Sequence, residues 1–574
     1  MAEIVARAEL TDLELSGEPL LQRLYRQRGI SQVSDLDYSL KSLPDPQQLL
    51  GVEAAVERLE KALAMRQSVL IVGDFDADGA TSCALMVLAL QSLGACVDFI
   101  VPDRFTLGYG LSPAIVDIVV EQNCPDLIIT VDNGIASIEG VCRAATHNID
   151  VIITDHHLPG AELPAAVAIV NPNQPGCLFP SKAIAGVGVA FYLLLALRSK
   201  LRKKGFFRER PEPNLAHWLD LVALGTVADV VPLDKLNRSL IHHGIQRIRA
   251  GRCRPGILAL LQLAGRNSSQ LQASDLGFTV GPRLNAAGRL DNMTIGIDCL
   301  LAESPQQAHS LASELDALNR ERRAIEQGMQ SEALADLETE WQALDGEPLP
   351  ALLVLYRPEW HEGIVGLLAS RIKERYHRPT LVFTDSESGD LKGSARSIEG
   401  LHIRDLLDEL ANSEPGLIEK FGGHAMAAGL TLPAGQLDRF RETVVALATE
   451  KLTDEQLQAK QFSDGSLAEE DLSLACAEKL RRAGPWGQQF PAPQFDGPFN
   501  VVAQRIVGER HIKLTLKVDA QAAPLDAIWF NVPSRWLSEP LPEFVEVLYR
   551  LDVNHFRGRS SLQLMIEQLE PGCG

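Results

Sequence analysis

Short apolar runs alternate with amphipathic segments through the first third of the chain. In "SVLIVGDFDADG" the run Ser68 to Val72 reads as a buried strand that enters a glycine-containing turn. Ala84, Leu85, Val87 and Leu88 are spaced as on a helix and predict one from Thr81 to about Leu93. The pattern then repeats. "CVDFIVPDR" is a strand, and "SPAIVDIVVEQ" a helix with Ser112 as N-cap and Pro113 in its first turn. "PDLIITVDNG" is a strand and turn, "SIEGVCRAATHN" a helix, and "DVIITDHHLPG" a further strand and turn. Strands alternating with helices predict βαβ units and a mostly parallel sheet covered on both faces. Ligands of such sheets bind at the loops that follow the strands' carboxyl ends.

Further along, helical periodicity dominates from about 186 to 340, and "SPQQAHSLASELDALNRERRAIEQGMQSEALADLETEW" reads as one or two long helices, the first closed by "LNRERR" (318–323). "DGEPLP" (345–350) is the clearest linker. Beyond it, "ALLVLYRPEW" and "PTLVFTD" are strands with a helix, "GIVGLLASRIKERY", between them. From about 460 the pattern turns to five short strands with polar turns, which predicts a small β-barrel of the OB type. The expected fold class is therefore α/β: a parallel-sheet domain and a second α/β domain joined by long helices, followed by an OB-like β-barrel. Boundaries are expected at 1–45 for a helical lead-in, 46–300 and 346–455 for the α/β domains, 301–345 for the connecting helices and 456–574 for the barrel.

Composition narrows the class. The 574 residues are 46% hydrophobic and 22% charged, as in an ordinary globular protein long enough for three or more domains. No apolar run approaches the roughly 18 residues of a membrane helix, and the first residues lack a signal-peptide core. Nine cysteines with no C-x-x-C pair argue against a disulfide framework or structural zinc and for a reducing, cytoplasmic setting. The net charge of −21 opposes broad nucleic-acid binding, so any phosphate contact requires local basic clusters. "RSKLRKKGFFRER" (198–210) is one cluster; it is either a binding patch or a solvated surface run.

The chemistry concentrates in three loops at predicted strand ends: Asp74, Asp76 and Asp78; Asp132 and Asn133; and Asp155, His156 and His157. Asp229, after a helical apolar run, is either a helix cap or a fourth contributor. Carboxylates packed this densely need a cation, and the set suits Mg²⁺ and Mn²⁺, with imidazole moving preference toward Mn²⁺. Asp74, Asp76 and Asp78 alternate in an extended turn. They serve two ions, or two bind while the third orients the loop; the structural alternative is that they cap the following helix.

GDFDADG, VDNG, TDHH and GTVADVVPL, in this order, resemble the four motifs of the DHH phosphoesterase superfamily. "GPRLNAAGRLDN" (281–292), "WHEGIVGLLASRI" (360–372), "KGSARS" (392–397) and "EKFGGHAMAAG" (419–429) are similar to those of its single-strand-specific 5′→3′ exonucleases. The resemblance implies two divalent metal ions, Mn²⁺ or Mg²⁺, held by Asp76, Asp78, Asp132, His156 and Asp229, with Asp132 bridging and Asp74 a further ligand or loop orienter. It implies that His157 lies beside the scissile phosphate, supported by Asp155. It implies strand contacts from Arg104, Arg283, Arg289, Ser394, Arg396, Gly422, Gly423 and His424.

In the barrel, Trp529, Phe530, Trp536 and Phe556, near Lys513, Lys517, Arg550, Arg557 and Arg559, are expected either to stack bases or to fill the core. The implied function is a two-metal exonuclease of recombination and repair that acts on single-stranded DNA and is not bound to a membrane. Single-stranded-DNA-binding protein and a recombination helicase are the partners the resemblance suggests. The rivals are a phosphodiesterase for oligoribonucleotides or cyclic dinucleotides, against which the C-terminal 120 or so residues count, and a catalytically inactive DNA-binding scaffold. Nuclease activity should vanish with EDTA and return with Mn²⁺ or Mg²⁺ without zinc; full activity in thoroughly demetallated protein would contradict this ligand chemistry.

Overall fold

The computed structural model describes residues 2–102, 110–122, 124–343, 349–386, 389–533, 535–556 and 558–572. They divide into two units, one built from 4–316 with 462–574 and the other from 317–461 with the chain's first three positions.

The first unit is organised by a five-stranded parallel sheet. Its strands are β1 (Ser68–Gly73), β2 (Cys96–Ile100), β3 (Leu127–Val131), β4 (Asp150–Thr154) and β5 (Ala168–Val170), in the order β2-β1-β3-β4-β5. On one face Val72, Ile128 and Ile153 share a core with the helices Pro113–Gln122 and Ile138–Thr146. The period-2 pleat sends Ile71, Ile129 and Ile152, paired across three strands and fully buried, to the other face. Helices Ala77–Ser92 and Gly186–Lys203 also pack against the sheet. Both faces are covered, which is why these strands read as unbroken apolar runs. The three residues of β5 are too few to register as a strand by periodicity.

The helix after β1 begins at Ala77, four residues before the expected Thr81. Asp76 accepts hydrogen bonds from the N–H groups of Asp78 (2.9 Å) and Gly79 (3.0 Å), and Asn285 Oδ1 accepts one from Ala77 (2.7 Å). With those first-turn donors satisfied, the helix starts inside the aspartate motif.

The segment expected as one or two helices is a single helix of 39 residues, Pro305–Ala343. "LNRERR" does not close it. Arg322 donates to Asn319 and to Glu326 one turn on (2.8 and 2.6 Å), and no proline follows until Pro348, so nothing interrupts the backbone ladder. The division between the units falls within this helix, at 316/317. Residues 345–348 of the expected linker lie outside the described residues.

The second unit carries a mixed sheet of β6 (Leu353–Tyr356), β7 (Thr380–Asp385), β8 (Leu391–Arg396), β9 (Lys420–Gly423) and β10 (Ala427–Leu432), in the order β9-β10-β8-β7-β6. Phe383, Leu407 and Phe440 lie at its core.

The chain's last strands, β11 (Phe495–Val507), β12 (His511–Lys517), β13 (Leu525–Trp529), β14 (Phe544–Phe556) and β15 (Arg559–Pro571), close a barrel in the order β11-β12-β13-β15-β14. Trp529 and Trp536 belong to its core and cannot stack bases, whereas Phe530 and Phe556 are exposed. Lys513 and Arg550 are paired with Asp526 and Glu567, and Arg557 lies outside the described residues. The basic run 198–210 is a solvated, ion-paired surface: Lys200 meets Glu57, Lys204 meets Glu60, and Arg202 meets Glu212. Among the described residues, no helix is long and apolar enough to cross a membrane.

The N-terminal segment is part of the barrel's core. Leu24, on the helix Pro19–Arg26, packs among the barrel residues, and Tyr25 stacks against Trp486 and Phe490 and donates to the Ala483 carbonyl (2.9 Å). Arg28 and Asp464, whose side chains are both fully buried, form a bidentate pair (3.1 and 2.8 Å). Arg7 adds a third donor to the same carboxylate (3.0 Å). Asp464→Ala leaves Arg28 charged and dry, which should cost about 3–5 kcal/mol, whereas replacing both partners by apolar residues of similar volume should recover most of that loss. Urea unfolding followed by tryptophan fluorescence measures both; equal losses in the single and double variants would contradict it.

Candidate active site

The sheet order reverses at β1, whose neighbours are β2 and β3, and the crevice at the carboxyl ends of β1 and β3 is the binding position such a reversal creates. Register brings the loops together there. Gly73 pairs with Val131, and Val131 pairs with Thr154, so Asp74, Asp132 and Asp155 leave three adjacent strands side by side. Asn133 ties the first two ends by donating to the carbonyls of Val72 (3.1 Å) and Val131 (2.9 Å). Asp132 itself takes the left-handed backbone conformation (φ 62°) that non-glycine residues seldom adopt. It directs a buried carboxylate at the site.

Three sets of ligand atoms converge, each within 4.8 Å: Asp132, His156 and His157; Asp78, His156 and Asp229; Asp74, Asp76 and Asp132. Asp132 and His156 each belong to two sets. His156 Nε2 lies 3.1 Å from Asp132 Oδ1 and 3.5 Å from Asp229 Oδ2, and Asp229 stands at the C-terminal end of the helix Leu219–Ala228. Asp78 accepts from the N–H groups of Gly186 (2.7 Å) and Val187 (3.0 Å), at the positive N-terminal end of Gly186–Lys203.

Electrostatics separates these carboxylates into two kinds. Burial, and then the charge of Asp76, pushes Asp74 up to about 8 and Asp78 to about 7. Burial and the neighbouring aspartates, Asp78 first, raise Asp132 and Asp229 well above the usual carboxylate range. Asp155 behaves oppositely. Burial alone would raise it, but it accepts from His157 Nδ1 (2.7 Å) and from the N–H groups of Ile135, His156 and His157, and it stays below the ordinary value. Burial would lower His157, yet the hydrogen bond and charge of Asp155 hold it up at about 9, so it is an imidazolium near neutral pH. The donor set therefore fits divalent cations. Buried carboxylates too crowded to ionise together, with one or two imidazoles among them, match oxygen-preferring ions and Mn²⁺ in particular.

Several residues that build the site have no motif of their own. Asn171 donates to the His157 carbonyl (2.9 Å) and Asn173 to that of His156 (2.6 Å), fixing both histidines from behind. The signal for them is the polar "NPN" that follows an apolar run at 166–170. Asn285 and Gly288, from "GPRLNAAGR", hold the aspartate loop. A Cβ on Gly288 would lie 1.7 Å from the Phe75 carbonyl oxygen, so only glycine permits that approach.

The expected strand contacts divide. Arg283 is buried, donating to Asp316 (2.9 Å) and the Thr279 carbonyl (2.7 Å); its guanidinium joins its own helix to the long one and does not face a strand. Arg289 is half-buried at the end of Gly281–Leu290, next to Gly288. Arg104 lies outside the described residues.

In the second unit, register aligns Ser394 with Gly429 and Gly429 with Gly422 across β8, β10 and β9, and sets Arg396 opposite Ala427. Nothing lies within 4 Å of where a Cβ would stand on Gly422 or Gly429, which leaves an open, smooth face. Ser394 Oγ and the Arg396 guanidinium converge near Gly366, in the first turn of the helix Val365–Tyr376. Gly423 (φ 151°) turns the chain so that the His424 N–H reaches the Ala427 carbonyl (2.8 Å). Serine, arginine and a helix N-terminus beside bare backbone form a local arrangement suited to a phosphodiester.

Comparison with known proteins matches three successive segments of the chain. Residues 68–226 match the DHH family N-terminal domain, 350–450 the DHHA1 domain, and 463–568 the RecJ OB domain. The single-stranded-DNA-specific exonuclease RecJ of Dickeya dadantii is 55% identical over 98% of this chain and 97% of its own. Crystal structures of RecJ from Thermus thermophilus in complex with Mn²⁺ and with Mg²⁺ superpose with TM-scores of 0.79 and 0.74, at 29% and 28% identity. Each covers 97% of this chain, with 76% and 75% of the Thermus chain matched. An end-to-end likeness of this closeness, with three family domains in order, means that the chain belongs to the RecJ family of DHH phosphoesterases.

Proposed function

We propose that the chain is a metal-dependent exonuclease that degrades single-stranded DNA from the 5′ end, in the cytoplasm, during recombination and repair. The observation that carries this reading is the sharing of Asp132 and His156 among three converging ligand sets, which suits a pair of ions better than one. Asp132 is the candidate bridge, with Asp76, Asp78, His156 and Asp229 completing the two sites and Asp74 ordering the loop. Residues 46–300 supply the chemistry, 346–455 hold the strand, and 456–574 extend the grip. Single-stranded-DNA-binding protein and a recombination helicase are the partners that fit this role.

Bound divalent ions supply Lewis acidity toward the scissile phosphate and make water acidic enough to attack near neutral pH. The protein's own part is to place and to donate. His157, charged and oriented by Asp155, is suited to donate a hydrogen bond to a phosphate oxygen or to the departing 3′-oxygen as negative charge gathers there. Asp155 needs no proton of its own, since four donors already hold it ionised. Ser394, Arg396, Gly422, Gly423 and His424 are the candidates to hold the backbone, and Arg289 and Arg104 to meet a terminal phosphate. No Ser, Cys or Tyr stands in these motifs beside a candidate base, so direct hydrolysis accounts for the residues without a covalent intermediate.

The reading is tested on end-labelled linear single strands against closed circles of the same sequence. Linear strands should be shortened from the 5′ end and circles left intact; cutting of circles would show that no end is read. Gly186→Ala probes the geometry, because the added methyl would stand 2.5 Å from Asp132 Oδ1. Turnover should fall at least about tenfold, roughly 1.4 kcal/mol of barrier, with the thermal transition largely kept. Unchanged turnover would remove Asp132 from the centre of the mechanism.

A further inference from the structure

We infer that Phe278 is a stacking platform for an unpaired base, positioning the strand beside the helix end that carries Asp229. This rests on the proposed single-strand nuclease activity and assigns it a residue that no motif identifies.

Phe278 is 81% exposed, although its neighbours Leu276, Thr279 and Val280 are buried. The five residues Leu276–Val280 form a π-helical turn, a conformation uncommon outside functional sites. This turn is wedged against the last turn of the helix Leu219–Ala228, which ends at Asp229. A Cβ at Gly277 would stand 3.2 Å from Val227, and one at Gly281 3.1 Å from Ala228, the two residues before Asp229. One and two turns further on, Asn285 and Gly288 touch the Asp74–Asp78 loop. The ring is therefore carried by a segment fixed to both sides of the candidate metal centre. Val230, just after Asp229, is also exposed and is held at φ 62°, where a β-branched residue is strained. Folding alone gives no reason to hold two apolar side chains in water here, one of them on strained backbone.

A nuclease without sequence preference needs contacts that any base can satisfy, and every base offers a π-face. Stacking also discriminates between strand types. Inside a duplex both faces of each base are already covered, so an internal base can give one to Phe278 only where it is unpaired. Backbone contacts cannot make this distinction, because both strand types carry the same phosphates.

The experiment compares wild type with Phe278→Ala, Phe278→Trp and Phe278→Leu on single strands carrying one abasic residue stepped along from the 5′ end. Phe278→Ala should raise KM about 5- to 150-fold, the range of one lost base stack, with little change in kcat, and Trp should restore it where Leu does not. At one position the abasic strand should weaken wild type by a similar factor and Phe278→Ala no further, as a double-mutant cycle requires. A 2-aminopurine at that position, read in EDTA, should be quenched by wild type and Trp but not by Ala. Equal KM and quenching in wild type and Ala, or a Leu variant as good as Trp, would overturn the stacking role while leaving the nuclease reading intact. Quenching by a wild type that hydrolyses no strand in Mn²⁺ would instead overturn the nuclease reading and leave the stacking.

Discussion

Mutual repulsion among carboxylates in a nearly dry crevice is the constraint to which the rest of the first unit answers. Asp74, Asp78, Asp132 and Asp229 resist ionising together without a cation, and burial makes each of these charges more costly. The fold offsets part of this with backbone donors, one to Asp74, two each to Asp76 and Asp78 and three to Asp155. Asp78 sits on the N-terminal end of Gly186–Lys203, and Asp155 takes four hydrogen bonds. The remaining tension, strongest at Asp132 and Asp229, is what a divalent ion relieves.

The sheet makes that arrangement possible at little cost in chain. Parallel strands in register deliver three loops to one edge, and the reversal of order between β2 and β3 opens the crevice into which they project. Close approach does the rest. Gly186 and Gly225 lack the methyl groups that would strike Asp132 and Asp78, and Gly288 lets a helix rest on the Phe75 carbonyl. Asp132 carries the local strain of a left-handed backbone at the point where its carboxylate is most needed.

Strong local periodicity made much of this legible before any coordinates. Buried parallel strands announce themselves as apolar runs, and "SVLIV", "DLIITV" and "DVIIT" each became a strand within a residue or so of the expected span. The barrel strands alternate cleanly because one face is wet, as in the burial of His511–Lys517. What local pattern cannot carry is a long-range partner. Nothing near Arg283 in the chain reveals Asp316 across a helix pair, and nothing in "GPRLNAAGR" says that Asn285 caps a helix two hundred residues earlier. Trp529 and Trp536 look like stacking residues until the closed barrel encloses them. Phe278 is the converse: its sequence neighbours are apolar, so only its position on a π-turn shows that it faces water.

The insertion of Leu24, Tyr25 and Arg28 among barrel residues bears on the order in which the chain acquires its structure during synthesis. The N-terminal helix emerges from the ribosome first, yet its partners, Asp464, Trp486 and Phe490, lie more than 430 residues later. At about 5–20 residues per second, the apolar face of this helix and an arginine destined for a dry ion pair wait on the order of tens of seconds before their counterparts exist. The parallel sheet can form in the meantime, so the first segment of the chain is the last part of this unit to be completed. A chain that stopped before the barrel would carry the candidate metal-binding residues together with an N-terminal segment whose buried partners had never been made.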